Sequence, residues 1–463
     1  MARQYEMDMT KGSVLGKLLV FTIPLMLSGL LQLLFNAADI IVVGRFAGDN
    51  SLAAVGSNTA LINLLTNLFI GLSVGANVVA ARAHGAGNNE VLSKTVHTSV
   101  LLGFFSGLLL TAVGVIFAPQ LLVIMQTPEN VLPLAVIYIR VYFLGMPAMM
   151  VYNFGAALLR SVGDTRRPMY CLIIAGVINV LLNLLFVIAL KMDVAGVALA
   201  TAIAQYISAG LVMLCLVNEH GAIQFRFKGL CFDMRQFGEI LKIGLPAGFQ
   251  GVVFALSNVV IQSSINVFGE IAVAGNSAAQ SIEGFIYMAM NSFYQAAISF
   301  VGQNFGAKRL ERIPRILFCA EGCVITTGLV FGWAAYLLGE PLLGIYTNNP
   351  EVVAAGLRRM SVIATTYALC GMMDVMVGVL RGLGCSVTPM IVSLAGACGL
   401  RILWIATVFQ IDKYHNIFTV YISYPITWII TFAAHVICFL IVWHRIKKRY
   451  GKAETLTIQS EET

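Results

Sequence analysis

Apolar runs of about 20 residues or more recur twelve times along the chain. They fall at 15–43, 52–80, 95–117, 132–158, 169–190, 194–217, 238–268, 272–301, 316–338, 352–380, 388–410 and 417–443. A helix of that length crosses a hydrocarbon core of about 30 Å. A membrane β-barrel would need apolar and polar residues to alternate every second position, and these runs do not alternate. The expected fold is an all-α membrane protein with twelve transmembrane helices. Composition agrees: 59% of the 463 residues are hydrophobic and 11% are charged, against roughly 25% charged in soluble domains.

The distribution of Lys and Arg gives an orientation, because such residues gather in cytoplasmic loops. Of the 29, 22 fall at the two chain ends and in alternate loops, and only Arg45, Lys191 and Lys413 fall in the others. Both termini are therefore expected in the cytoplasm, with the chain in the cell (plasma) membrane. The net charge of +7 reads as this topology signal, and no nucleic-acid partner is expected.

The two halves repeat. Leu159-Arg160 through Gly163 and Pro168 returns, 221 residues on, as Leu380-Arg381 through Gly384 and Pro389. Gly85-Ala86 returns as Gly306-Ala307, and Pro24 and Pro128 return as Pro246 and Pro350. Matches in one register indicate a duplicated six-helix unit. Six is even, so both copies insert the same way up, related by a pseudo-two-fold axis along the membrane normal. The expected organisation is a first bundle over 1–217, a flexible cytoplasmic linker over 218–235, a second bundle over 236–446 and a tail over 447–463. The tail is polar and is expected to be disordered.

Few ionisable residues lie inside the runs. An Asp at the centre of an inserting helix costs about 2.5–3.5 kcal/mol, so such a residue usually faces a cavity, an ion path or a partner. Asp39 is one. Asn179 and Asn183 are four apart and so share a helix face. They lie roughly 15 and 21 Å from the cytoplasmic end of span 5, and Thr201 lies about 10 Å inside the outer end of span 6. The four can meet at one level. Their oxygens suit a small hard cation such as Na⁺, and a desolvated carboxylate can equally carry a proton. Asn and Thr also bridge membrane helices without any ion.

In the second half, Glu283 lies near the middle of span 8. Asp374 lies in the inner half of span 10 if Arg358 and Arg359 mark the outer interface. The repeat sets Asn153 opposite Asp374. Arg401 stands out as a cation well inside a span. The nine cysteines read as free thiols, and Cys319 and Cys323, four apart, have no further ligands at zinc-site spacing. No metal is expected beyond Na⁺ at Asp39.

The twelve spans, the repeat, the Pro24 and Asp39 helix, the Gly85-Ala86-Gly87 turn and the Leu-Arg-x-x-Gly turns resemble the multidrug and toxic compound extrusion (MATE) family. The resemblance runs from about Lys11 to Lys448. It implies a secondary antiporter that exports amphipathic, cationic compounds in exchange for H⁺ or Na⁺, with no cofactor beyond that ion. It also implies that the chain works as a monomer among membrane lipids. Carried onto this sequence, the family's coupling-ion site is Asp39, Asn179, Asn183 and Thr201. Many members have Asp where this chain has Asn183. The family's second-lobe acidic residues suggest a cavity or substrate site at Glu283 and Asp374, to which the repeat adds Asn153.

Other classes fit less well. The loop after span 2 lacks the Gly-x-x-x-Asp-Arg-x-Gly run of major-facilitator carriers. A flippase or exporter of a lipid-linked or other endogenous metabolite is the alternative on the same fold, and it would call for a more basic cavity. An enzyme would need a metal motif or a nucleophile with its base, and a channel a pore ring.

Overall fold

The structure is a computed structural model and describes residues 6–461. Among them are twelve long helices and no strand. α1 covers Val14–Phe46, α2 Asp49–Gly85 and α3 Asn89–Ile124. α4 is bent by 46° between Leu132–Phe143 and Met146–Ser161. α5 runs over Arg166–Asn183 and continues as a π turn over Leu184–Ala189, and α6 covers Asp193–Val217. The second set opens with α7, Met234–Asn266, and α8, Glu270–Gly306, followed by α9, Ile313–Leu337. α10 is bent by 43° between Pro350–Thr366 and Ala368–Gly382. α11 joins Val387–Ser393, a π stretch over Leu394–Gly399 and Leu400–Ala406. α12 runs over Ile417–Glu461.

Side chains at the helix starts satisfy amides that have no partner within the helix. Ser13 accepts from Gly16 N–H, Asn88 from Val91, Asp233 from Arg235 and Gln236, and Asn349 from Glu351. The duplication is visible in the backbone. α2 and α8 both have 37 residues, α4 and α10 bend alike, and left-handed backbone recurs at Gly48 and Gly269 and at Gly163 and Gly384.

Among the described residues nine helices are long and apolar enough to cross a membrane, and the bent pairs α4 and α10 bring the number to eleven. α8 is the twelfth and is more polar, with Asn276, Gln280, Glu283, Asn291 and Gln295 along it. It keeps these residues because protein surrounds it: 21 of its 37 residues are buried, against eight of 33 in α1.

The two sets meet in the half of the molecule that carries both chain ends. There α2 crosses α7 through Gly71 and Gly75 against Gly244 and Gly248. A β-carbon at any of the four would fall inside 3.0 Å of backbone on the facing helix. Small residues permit such close approach, which van der Waals contact rather than hydrophobicity must hold together in lipid. Ser299 Oγ donates to Asn77 Oδ1 at 3.1 Å, and Gln303 Nε2 donates to the Ser161 carbonyl at 2.7 Å. The segment before α1 forms a strap between the sets. Met9 is fully buried; its N–H donates to Gln303 Oε1 at 3.1 Å and its carbonyl accepts from Asn304 Nδ2 at 3.1 Å. Met7 N–H donates to the Val162 carbonyl of the first set. Gly163, at φ +96°, lies so close to the Met7 backbone that no side chain would fit.

Two expectations are corrected here. Residues 218–235 are not a free tether. Ile223 and Phe225 are buried against the first set, His97 stacks on Phe225 at 5.1 Å, and Glu219 pairs with Arg167. The polar composition of the segment hides these anchors. The stretch from Lys447, expected to be disordered, continues α12 as helix through Glu461, since most of its residues are helix formers. Glu462 and Thr463 of that tail lie outside the described residues.

Candidate functional site

Two polar places within the spans gather most of the residues singled out in the sequence. The first joins α1, α5 and α6. Asn183 Nδ2 donates to Asp39 Oδ1, and also to Asn179 Oδ1 at 3.3 Å. Thr201 Oγ1 faces Asp39 Oδ2 at 3.5 Å and accepts from Asn179 Nδ2 at 3.3 Å. All four residues thus share one hydrogen-bonded cluster, built by the one-turn spacing on α5. The π turn that follows Asn183 widens the helix there, a feature frequent at functional sites. Asn183 is fully buried, and its Oδ1 has no hydrogen-bond partner. No Lys, Arg or His among the described residues forms an ion pair with Asp39. The cluster therefore offers one carboxylate, a vacant buried carbonyl oxygen and a hydroxyl with no built-in counter-charge. That donor set fits a proton or a small cation.

The second place is a cavity of about 630 Å³ beyond the glycine seam. α2 contributes Asn63 and Asn67, and α7 contributes Gln250 and Phe254. The rest of the wall comes from α8, α10, α11 and α12 of the second set. Glu283 and Asp374 both line it. Asn153 does not: it sits in the first set, where its Nδ2 donates to the Met149 carbonyl at 2.8 Å. The repeat set it opposite Asp374 in register, which is not proximity.

The charges on the wall differ from the sequence reading. Arg359, expected at the outer interface, is buried at 3% exposure, and only Arg358 next to it is exposed. Arg359 Nε and Nη2 donate to the two Glu283 oxygens at 3.0 and 2.7 Å, and Nη1 donates to Asn276 Oδ1 at 2.7 Å. Arg381, read as a loop residue, is buried too. Its Nη1 donates to the Tyr294 hydroxyl and its Nη2 to Gln250 Oε1 at 2.8 Å. Arg401 is thus one of three arginines on this wall. One signal in the sequence points to Arg381: it lies seven residues, about two turns, after Asp374 and so shares its face.

Comparison with known proteins identifies the family and the fold. The family model described as MatE matches twice, at residues 24–185 and 246–406. The chain is 27% identical over 425 residues to "Probable multidrug resistance protein YoeA" of Bacillus subtilis, covering 90% of this chain and 91% of that protein. It is 24% identical over 332 residues to the "FAD transporter" of Shewanella oneidensis, covering 71% and 73%. Among solved structures, the outward-facing conformation of a multidrug resistance MATE family transporter superposes with a TM-score of 0.87. That match has 21% identity and covers 95% of this chain and 97% of the other.

Proposed function

The chain belongs to the MatE family, a family of multi-pass membrane transporters rather than enzymes, and on that premise we propose that it is a secondary antiporter exporting amphipathic compounds in exchange for H⁺ or Na⁺. The observation that carries the coupling half is the Asp39 cluster. One half-buried carboxylate accepts from Asn183 Nδ2 and faces the Thr201 hydroxyl, the Asn183 Oδ1 is buried without a partner, and no Lys, Arg or His among the described residues pairs with the carboxylate. An incoming proton or Na⁺ supplies the missing positive charge. The ion must bind one orientation of the lobes better than the other for its gradient to do work on the cargo.

The cargo half rests on the cavity between the lobes, whose volume is within the usual range for drug-sized ligands. The Lys and Arg bias supports cytoplasmic termini in the plasma membrane, and on that reading the seam closes the cytoplasmic side. Loading from the cytoplasm then requires the lobes to separate there and close on the other side. The preference for cationic cargo expected from Glu283 and Asp374 loses its main support, because Arg359 already neutralises Glu283. The coupling reading is tested in proteoliposomes with proton and sodium gradients imposed separately. Efflux of a tracer should follow one of the two gradients, and efflux indifferent to both would overturn the antiport.

A further inference from the structure

We propose that the cavity selects organic anions and zwitterions over cations, and that Arg401 reads their negative charge. The inference deepens the transport reading and rests on it only in taking this cavity as the cargo site.

The acidic and basic side chains on the wall are two carboxylates and three arginines. Glu283 and Arg359 are tied to each other by bonds of 2.7 to 3.3 Å and present no net charge. Asp374 then stands against two arginines. Neither of these forms an ion pair with any described residue. Arg381 is held by Tyr294 and Gln250, both neutral. Arg401 has only one hydrogen bond, from Nη2 to Thr427 Oγ1 at 3.0 Å, and its Nε is buried without an acceptor. It is 96% buried, at 4% exposure.

A buried guanidinium without a counter-ion costs several kcal/mol relative to water. Its planar fork matches a carboxylate or phosphate through two parallel hydrogen bonds. A ligand bearing such a group removes the cost, whereas a cationic ligand leaves it and adds like-charge repulsion. The guanidinium lies 3.9 Å from the Tyr424 ring centre and 5.9 Å from that of Trp428. These rings pin Arg401 in place and offer faces for an aromatic part of the same ligand. The favoured cargo is an aromatic amphiphile carrying a carboxylate or phosphate.

Three xanthene dyes of one ring size separate the outcomes: fluorescein is anionic, rhodamine B zwitterionic and rhodamine 6G cationic. Anisotropy titrations of the full-length protein in a non-ionic detergent, with empty micelles as blank, give their affinities without any gradient. Fluorescein and rhodamine B should bind at least about tenfold tighter than rhodamine 6G, the ratio that one charge-assisted hydrogen bond supplies. Arg401→Gln should erase the preference, and Arg401→Lys should retain most of it. Equal or tighter binding of rhodamine 6G by the unmodified protein overturns the proposal, as does no binding of any dye. An unchanged ratio in Arg401→Gln removes Arg401 from it. Because the wild-type order decides by itself, a variant that fails to fold leaves the test intact. Loss of gradient-driven efflux with the anion preference intact would count against antiport alone.

Discussion

Glu283 and Arg359 face each other across the cavity wall through paired hydrogen bonds, and both are almost fully buried. This relationship changes what the acid does: it holds an arginine instead of waiting for a cationic ligand. Removing one partner of such a pair leaves an uncompensated buried charge, at a cost of about 3–5 kcal/mol. Glu283→Gln should therefore lower thermal stability in detergent sharply. Glu283→Gln combined with Arg359→Met should recover much of the loss. Additive losses in this double-mutant cycle would show that the pair is not energetically coupled.

At Asp39 the expectation is opposite, with function lost and stability kept. Asp39→Asn preserves the shape and the contacts to Asn183 and Thr201 but removes the only charge of the cluster. The variant should express and melt like the parent protein and fail in gradient-driven efflux. Full efflux by a folded Asp39→Asn protein would make Asp39 a hydrated surface residue with no part in coupling.

The glycine seam predicts a conformational effect. Gly248→Ala places a methyl group against the backbone of Leu68 on α2, and overpacking of this kind costs about 1–3 kcal/mol. The closed arrangement bears that cost, so the variant should favour lobes separated on the side of the chain ends. Spin labels at exposed Glu90 and Glu311, one on each lobe, should report a longer distance in Gly248→Ala. In the parent protein the distance should change with cargo. A constant distance throughout would favour local bending at Pro24 over rocking of whole lobes.

The strap should be insensitive to pH over the range in which a proton-coupled carrier works. Burial pushes the Asp8 carboxyl up, but its hydrogen bonds from Thr10 and the charges of Lys11 and Lys17 outweigh this and hold it below its ordinary range. A carboxylate depressed in the folded state adds stability above its unfolded value of about 3.9 and loses it as pH falls through the folded value. Hydrogen exchange at the Met7 and Met9 amides, corrected for intrinsic rates, should stay slow from about pH 5 to 8. Loss of protection inside that window would mean that a group other than Asp8 controls the strap.

Much of the architecture was legible in the residues, because lipid forces long apolar runs and the duplication left matching prolines and glycines. The Asp39 cluster was legible for a related reason: one carboxylate, a pair of amides one turn apart and a simple rise per residue set their depths. The arginines were not. Arg359 and Arg381 sit at the ends of an apolar run, where a charge normally meets headgroups. Tertiary contacts bury them instead: Arg359 through Glu283 and Asn276, and Arg381 through Tyr294 and Gln250, which lie 87 and 131 residues away. Phe225 was missed likewise, since its partner His97 belongs to a helix more than a hundred residues earlier.

The strap also imposes an order on synthesis. Met9 leaves the ribosome long before its partner Gln303, which follows 294 residues later. At 5–20 residues per second that interval is about 15–60 s. Within it the first six helices are made and inserted with a start segment that cannot yet dock. The seal on that face therefore forms only after the second copy has been inserted as far as the end of α8. A nascent or truncated chain that stops before this point lacks the second copy's half of its closing surface.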